Sequence, residues 1–240
     1  ALHSACAFLA VGLVALLLLA FQAVSLASAM APGVDAGAVN WQIETVDNKT
    51  IGNSSIAVDS NGTPRISYEI DTPERPGYDR QLMYAQRTGS QWATESVAST
   101  WFGAADISLA LDGNDSPHIS YARCSMYGCP PRYVEWTGTD WSVTENVDGF
   151  GSLVLDASDS PHVGYRHGNV VGMISLRYMH RVAGTWMTST IEAGSVDIGV
   201  RSLDLDTNER PHISYYHGDD LKYAFWNGSE WTLQVVDRAP

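Results

Sequence analysis

SLALDGNDSPHISY, residues 108–121, occurs in four closely related versions along the chain. The other versions are SIAVDSNGTPRISY from Ser55, SLVLDASDSPHVGY from Ser152 and SLDLDTNERPHISY from Ser202. In each version, apolar residues alternate with polar ones on both sides of a short run rich in Asp, Asn, Gly and Pro. This pattern is typical of two β-strands joined by a tight turn. The stretch therefore predicts a hairpin that is repeated four times.

A second strand pair follows each hairpin. Its versions are LMYAQRTGSQWATESV, RYVEWTGTDWSVTENV, LRYMHRVAGTWMTSTI and LKYAFWNGSEWTLQVV. The repeated prolines, at positions 64, 117, 161 and 211, are 53, 44 and 50 residues apart, which is the length of one propeller blade. Helical repeats are excluded, because no window shows apolar residues at helical spacing. We expect a four-bladed β-propeller, with a two-sheet sandwich as the alternative fold.

The predicted domains follow from this repeat. We expect a long hydrophobic helix over residues 1–31, a linker over 32–40 and the propeller over 41–240, with repeats at about 41–100, 101–148, 149–195 and 196–240. Residues 41–47 (WQIETVD) and 231–237 (WTLQVVD) both resemble a fourth strand, so two segments compete for the outermost place in the last blade. One of them is added as a fifth strand or pairs with a neighbouring subunit, and we favour closure of the ring within the chain.

Residues 5–30 contain no charged side chain and are long enough to span a bilayer as a helix. Three interpretations compete. A secretory signal would be cut at the small residues 27–29 (ASA), a membrane anchor would be permanent, and an assembly helix would pack against copies of itself. Pro32 and Gly33 would end such a helix.

This segment resembles the N-terminal helix of mature type IV pilins, and Ala5 makes the archaeal branch the nearer likeness, because bacterial members carry glutamate there. The repeats resemble the PHISY…LKYA…W repeats of secreted archaeal and bacterial proteins. The pilin resemblance implies that the segment is retained, that subunits are inserted in the membrane before assembly, and that the helices form a filament core. Small residues would allow close helix approach, namely Ala7, Ala10, Gly12, Ala15 and Ala20.

Two functions therefore compete at this point. The first is a structural subunit of an extracellular type IV pilus-like filament, whose propeller heads face outward for adhesion or surface contact. The alternative is a secreted or membrane-anchored, lectin-like propeller that binds carbohydrate. Nucleic acid is not expected as a partner, because 27 acidic residues outnumber 14 basic ones and the net charge is −13.

Cysteines and glycosylation signals both indicate an extracellular location. Cys124 and Cys129 are close enough for a small disulfide loop, whereas Cys6 lies in the apolar segment. Five asparagines stand in N-x-S/T acceptor sequences, namely Asn48, Asn53, Asn61, Asn114 and Asn227. Turn formation is the alternative explanation for these asparagines.

One aspartate per repeat ends the predicted first strand, namely Asp59, Asp112, Asp156 and Asp206. In a closed propeller these carboxylates would gather at one mouth of the central channel, where oxygen ligands suit Ca²⁺. Further ligands would come from residues two or three positions on, namely Asn61, Asn114, Asp159 and Asn208. The alternative is a turn in which each carboxylate accepts backbone N–H bonds.

Aromatic residues recur once per repeat, as Tyr68, Tyr121, Tyr165 and Tyr215, as Tyr84, Tyr133, Tyr178 and Tyr223, and as Trp92, Trp141, Trp186 and Trp231. Packing between blades is the favoured role, and a sugar-binding platform is the alternative.

Catalysis is not expected. His118, His162 and His212 follow the repeated prolines, but Arg65 takes their place in the first repeat, which argues against a shared catalytic role. No nucleophile–base pair, phosphate-binding loop or histidine–carboxylate cluster stands at a diagnostic spacing.

Overall fold

The structure is a computed structural model of the 240-residue chain, and it describes residues 42–49, 51–72, 80–100, 103–123, 131–145, 151–168, 174–194 and 197–238. Two compact units are distinguished, Ala1–Glu44 and Thr45–Pro240. The second unit holds every strand described below.

Four antiparallel sheets of four strands make up the described part of the second unit, and we call them blades 1 to 4. Blade 1 contains β1 (Ile51–Val58), β2 (Pro64–Asp71), β3 (Arg80–Thr88) and β4 (Gln91–Ser99). Blade 2 contains β5 (Ala104–Leu111), β6 (Pro117–Arg123), β7 (Pro131–Trp136) and β8 (Trp141–Glu145). Blade 3 contains β9 (Gly151–Leu155), β10 (Pro161–Gly168), β11 (Ile174–Val182) and β12 (Thr185–Gly194). Blade 4 contains β13 (Ile198–Leu205), β14 (Pro211–His217), β15 (Asp220–Trp226) and β16 (Trp231–Asp237).

Each blade comes from one sequence repeat, and its strands pair in chain order. The repeated proline opens the second strand in every blade, directly after the Asp-containing turn. Strand pairing keeps the repeat in register, since Leu109, Leu153 and Leu203 face Ile119, Val163 and Ile213 respectively. The division of each repeat into four strands is therefore confirmed.

The predicted fold class, a long N-terminal helix followed by a four-bladed propeller, is wrong as stated. The described residues are all-β, contain no helix and form four separate antiparallel sheets. Within that part of the chain, no helix is long and apolar enough to cross a membrane. Residues 1–31, including Ala7, Ala10, Gly12, Ala15 and Ala20, lie outside the described residues, as do the linker 32–40 and the cysteines Cys124 and Cys129.

The serine that opens each repeat joins neighbouring blades. The Leu109 N–H of blade 2 donates to the Ser55 hydroxyl of blade 1 at 3.0 Å. The same bond recurs from Leu153 to Ser108 at 3.0 Å and from Leu203 to Ser152 at 2.9 Å. The first strands of consecutive blades therefore lie side by side.

Aromatic pairs also join the blades. The third-strand tyrosine of one blade meets the fourth-strand tryptophan of the next in a T-shaped contact: Tyr84–Trp141 at 5.4 Å, Tyr133–Trp186 at 5.3 Å and Tyr178–Trp231 at 5.3 Å between ring centroids. Edge-to-face contacts of this kind contribute energy beyond the area that they bury. The predicted packing role of these aromatic residues is confirmed.

The described residues do not show the predicted closure of the ring. The pairs β1–β5, β5–β9 and β9–β13 are in contact, but no comparable contact joins β13 to β1. β16 supplies the fourth strand of blade 4. The segment of similar sequence, residues 41–47, forms no strand in its described part, which begins at residue 42. Val46 instead packs against the Tyr68 cluster of blade 1, which consists of Tyr68, Ile70, Met83 and Ala85.

Candidate functional site

The repeated aspartates hold the turns between the first and second strands. In blade 1, Asp59 Oδ1 accepts the N–H groups of Asn61 at 3.0 Å and Thr63 at 2.8 Å. The fourth turn residue is in the left-handed region in every blade, as Gly62 (φ 77°), Asp115 (φ 61°), Asp159 (φ 60°) and Glu209 (φ 60°). Backbone hydrogen bonds lower the pKa of Asp59, and the bond from Thr63 contributes most. The repeated aspartates therefore stabilise the turns through backbone hydrogen bonds, which was the alternative explanation to a calcium site.

The other carboxylate oxygen faces the residue that follows the repeated proline. Asp59 Oδ2 accepts from Arg65 Nη2 at 2.9 Å, and His162 Nε2 lies 3.3 Å from Asp156 Oδ2. His118 and His162 are in turn hydrogen-bonded to the hydroxyls of Tyr133 and Tyr178. Within the described residues, no group of three or more His, Cys, Asp or Glu side chains is placed to hold a metal. Calcium binding by Asp59, Asp112, Asp156 and Asp206 gains no support and stays a prediction.

His118 makes the stability of the protein depend on pH. Burial lowers the pKa of this side chain below its ordinary value of 6.5, and the attraction of Glu135 and Asp112 offsets only part of this effect. The unfolded chain therefore binds the proton more readily than the folded chain. As a result, stability is complete above pH 6.5 and falls as the pH drops below that value.

We therefore expect His118 to lower the free energy of unfolding between pH 7 and pH 5, by less than the ~1.4 kcal/mol per pH unit that uptake of one full proton on unfolding gives. His180, whose pKa is also lowered, adds to this slope. Urea titrations followed by tryptophan fluorescence would measure the slope. His118→Gln removes one titrating group and should flatten it. An unchanged slope in that variant would show that His118 does not titrate in this range.

Clefts open between neighbouring blades beside these turns. The blade 3–4 cleft has a volume of about 370 Å³ and the blade 1–2 cleft about 300 Å³. The two clefts are lined by residues at matching positions of the repeat. The blade 3–4 set is His162, Tyr178, His180, Ser189, Glu209, Pro211, Trp226 and Trp231, and the blade 1–2 set is Arg65, Tyr84, Gln86, Glu95, Asn114, Asp115, Ser116, Pro117 and Trp136.

Aromatic rings form most of the blade 3–4 cleft. On one side, His180 stacks on both His162 and Tyr178, with centroid distances of 5.5 and 5.3 Å. On the other side, Trp226 and Trp231 meet at 5.7 Å, and Trp231 Nε1 donates to Ser189 Oγ at 3.2 Å. Burial lowers the pKa of His180, and its interaction with His162 lowers this pKa further, while Asp156 acts in the opposite direction. The cleft thus offers apolar ring faces and a neutral imidazole.

Two buried polar atoms beside the clefts have no hydrogen-bond partner among the residues that the structure describes. They are His180 Nδ1 at the blade 3–4 cleft and Trp141 Nε1, whose ring contacts both Tyr84 and Trp136 of the blade 1–2 cleft. An unsatisfied buried polar group in a folded protein calls for an explanation such as an unseen water or ligand. Both atoms are shielded from solvent, so only a buried water or a shift of the neighbouring side chains would satisfy them.

An ion pair spans the corresponding position between blades 2 and 3. Arg181 stands in register with Trp136 and Trp226, since each pairs with the tryptophan that opens the fourth strand. Its guanidinium binds both oxygens of Glu135, at 3.1 and 2.9 Å, and lies 5.4 Å above the Tyr133 ring. Burial of Glu135 opposes its ionisation, but the bonds and charge of Arg181 prevail and lower its pKa. This cleft is therefore occupied by protein side chains.

A further pocket of about 390 Å³ lies at the opposite end of the first strands, lined by Asp106, Arg166 and Tyr216 among others. Asp106 has φ 50°, an unusual conformation for a residue with a side chain. Asp197 joins the two other residues, because it lies 3.5 Å from Arg166 Nη2 and accepts from the Tyr216 hydroxyl at 2.9 Å.

Sequence reasoning named the turn aspartates, the histidines and the packing aromatics but missed several residues that line the clefts. Trp136 and Trp226 stand three positions after the repeated third-strand tyrosine, and Arg181 stands at the same position in the third repeat. An alignment of the repeats would have identified all three residues at this position. Of the predicted glycosylation sites, Asn114 is exposed in the lining of the blade 1–2 cleft. Asn48, Asn53, Asn61 and Asn227 are exposed elsewhere, and Asn227 Oδ1 accepts the N–H groups of Ser229 and Glu230.

No protein-family model and no curated protein matches the sequence. Among solved structures, an α-L-arabinofuranosidase from Fusarium graminearum matches over 79% of this chain and 68% of its own, with a TM-score of 0.53 and 9% identity. An ulvan lyase matches with a TM-score of 0.47 and 13% identity over 84% of this chain, which spans 60% of the lyase. A fucose lectin from Kordia zhangzhouensis matches with a TM-score of 0.33 and 14% identity, over 78% of this chain and all of its own. The arabinofuranosidase match establishes similarity of fold alone.

These findings correct two predictions. The resemblance to type IV pilins is wrong, because the described residues are all-β and share their fold with an arabinofuranosidase. The pilus filament and the helical polymer that it implied are therefore withdrawn. The prediction that the protein is not an enzyme is also withdrawn, because a structure that shares its fold is an arabinofuranosidase.

Proposed function

We propose that the protein binds carbohydrate in the clefts between blades 1 and 2 and between blades 3 and 4. The observation that carries this proposal is the lining of the blade 3–4 cleft, where Tyr178, Trp226 and Trp231 surround a space of about 370 Å³. Ligand pockets typically combine apolar and aromatic walls with a few polar groups.

A pyranose ring suits this chemistry. Its C–H face packs against an aromatic ring, while its hydroxyls need hydrogen-bond donors and acceptors around the rim. In the blade 3–4 cleft, Ser189 and Glu209 are such rim groups. In the blade 1–2 cleft, Gln86 and Glu95 take the corresponding places beside Trp136. The two clefts therefore present different polar and charged groups, and we expect them to prefer different sugars.

The proposed binding takes place outside the cell, at a cell surface or in the surrounding medium. Support comes from the N-x-S/T acceptor sequences. One of these acceptors, Asn114, is exposed. This residue lies in the blade 1–2 cleft, so a glycan attached to it would fill that cleft and leave the blade 3–4 cleft accessible.

Glycan-array screening of the full chain, followed by calorimetric titration of a bound oligosaccharide, would test the proposal. Trp226→Ala removes one aromatic wall, and we expect the affinity of the blade 3–4 cleft to fall at least tenfold, since one lost aromatic contact costs on the order of 1–2 kcal/mol. Trp226→Phe retains a ring and should lose less.

Met187→Ala is the control, because Met187 is an exposed apolar side chain of β12 that lines neither cleft. Melting temperatures would show that all variants fold. Failure of the unmodified chain to bind any glycan, or equal affinity of Trp226→Ala and the unmodified chain, would refute the proposal.

A further inference from the structure

The outer face of blade 4 lacks the cover that the other blades have. Leu221 is 41% exposed, whereas its counterparts Leu82 and Leu176 are fully buried. Val236 is 61% exposed, whereas its counterpart Ile191 is 9% exposed. In blades 1 to 3 this face is covered by the following blade, and within the described residues no fifth blade follows.

Blade 1 is uncovered on the opposite face. Ile56 of β1 is 63% exposed, whereas Leu109, Leu153 and Leu203 at the same position of the later blades are at most 6% exposed. In those blades the leucine packs on the preceding blade and its N–H binds the preceding serine hydroxyl. Blade 1 therefore has the same apolar face, but no preceding blade covers it within the described residues.

The two uncovered faces are complementary, because they are the two sides of one repeated interface. Blade 4 carries Ser202, the counterpart of the serines that accept a leucine N–H, and Asp237, the counterpart of Glu192. Glu192 accepts the Tyr215 hydroxyl of the following blade at 2.7 Å. The corresponding tyrosine of blade 1 is Tyr68, whose hydroxyl donates to Asp47 within one chain, so Asp237 reaches this donor only when Asp47 gives up the bond.

Residues 46 and 47 contact blade 1 in the way that the fourth strand of a preceding blade would. Asp47 accepts the Tyr68 hydroxyl at 3.0 Å, as Glu192 does for Tyr215, and Val46 packs against the Tyr68 cluster as Ile191 packs against the Tyr215 cluster. The segments 41–47 and 231–237 share the pattern W-x-x-x-x-V-D. The Val46–Asp47 pair therefore shows how a Val–Asp pair is accommodated against blade 1.

We propose that a second copy of this chain covers these faces, with blade 4 of one copy packed against blade 1 of the other. In this complex, Val236 and Asp237 of one copy take the place of Val46 and Asp47 beside Tyr68 of the other. The driving force is burial of the apolar side chains on both faces, among them Leu221, Val236 and Ile56, which contact water in a single copy. The contact continues the interface that already joins the blades within each chain.

The test uses two variants of the full chain, each with a charge on one face. Val236→Asp blocks the blade 4 face, and Ile56→Asp blocks the blade 1 face. Both residues are exposed in a single copy, so both variants should fold. In analytical ultracentrifugation in a mild detergent, we expect each variant alone to associate at least tenfold more weakly than the unmodified chain. Val182→Asp, at an exposed valine on neither face, is the matched control and should associate normally.

Mixing the two variants gives the decisive result. Each retains the face that the other lacks, so an equimolar mixture should form a 1:1 complex through one intact contact. Association through another part of the chain would be equally strong in all variants, so mixing the two variants would not increase it. A mixture that shows no 1:1 complex, or a Val236→Asp variant that associates like the unmodified chain, would overturn the proposal.

Discussion

Tyr133→Ala is expected to lower the free energy of unfolding by about 4 kcal/mol, as large-to-small substitutions of fully buried aromatic residues do. Tyr133 is completely buried. Its ring contacts Trp186 of the next blade at 5.3 Å, and its hydroxyl is hydrogen-bonded to His118. Alanine would leave a cavity at the junction of blades 2 and 3 and would remove the ring beneath the Arg181 guanidinium. Urea unfolding at pH 7 would measure the loss.

Tyr223→Ala is the matched control for this prediction. Tyr223 occupies the same position in blade 4 and is hydrogen-bonded to His212 in the same way, but it is half-buried, and no tryptophan of the described residues covers it from a following blade. We expect a cost of about 1–2 kcal/mol, because less surface is buried and a half-open site leaves a smaller cavity. Equal costs for the two variants would contradict the view that packing between blades, rather than within each blade, holds these tyrosines.

Gly151→Ala is expected to cost about 3 kcal/mol, at the upper end of the usual range for overpacking. A Cβ at residue 151 would stand 2.1 Å from the carbonyl oxygen of Gly164, on the paired strand β10. This neighbour is a backbone atom and cannot rotate away, so β9 and β10 would have to separate. The Gly151 carbonyl also accepts the Ser120 hydroxyl of blade 2 at 2.7 Å, and that contact between blades would move with the strand.

Gly168→Ala provides the control for the glycine prediction. Gly168 lies on β10, in the same sheet, and a Cβ there would find its nearest neighbour, Ile174 Cγ1, at an ordinary 3.8 Å. We expect a change within about 0.5 kcal/mol, since the reduced freedom of the unfolded chain offsets any minor contact. Thermal unfolding of both variants would compare them, and a Gly151→Ala melting temperature equal to that of Gly168→Ala would refute the steric argument.

The position of Arg181 explains why similar repeats give different clefts. Trp136 and Trp226 leave space beside the tyrosine of the preceding blade, whereas Arg181 reaches across to Glu135 and spans it. A planar guanidinium matches a carboxylate through two parallel bonds. One position of the repeat thus determines whether a cleft is available to a ligand.

Strands and turns followed from the sequence, because they depend on residues close together in the chain. The alternation in SLALD and HISY predicted the strands, and the Asp-containing run predicted the turn whose backbone Asp112 holds through Asn114 and Ser116. The aromatic columns likewise predicted packing between blades. By contrast, the apolar N-terminal segment led to the pilin assignment, because its composition suits a signal, an anchor and an assembly helix equally well.

The sequence alone determined the number of repeats, the strands within each one and the residues that pack between them, because these features recur at fixed spacing. The tertiary structure decided which clefts are open and which faces are uncovered. Arg181 and Glu135 are 46 residues apart, and no local pattern reveals that they meet. Whether blade 4 reaches blade 1 depends on the angle between successive sheets, which the length of a repeat does not encode. The exposure of Ile56 and Val236 therefore became visible only when the sheets were assembled.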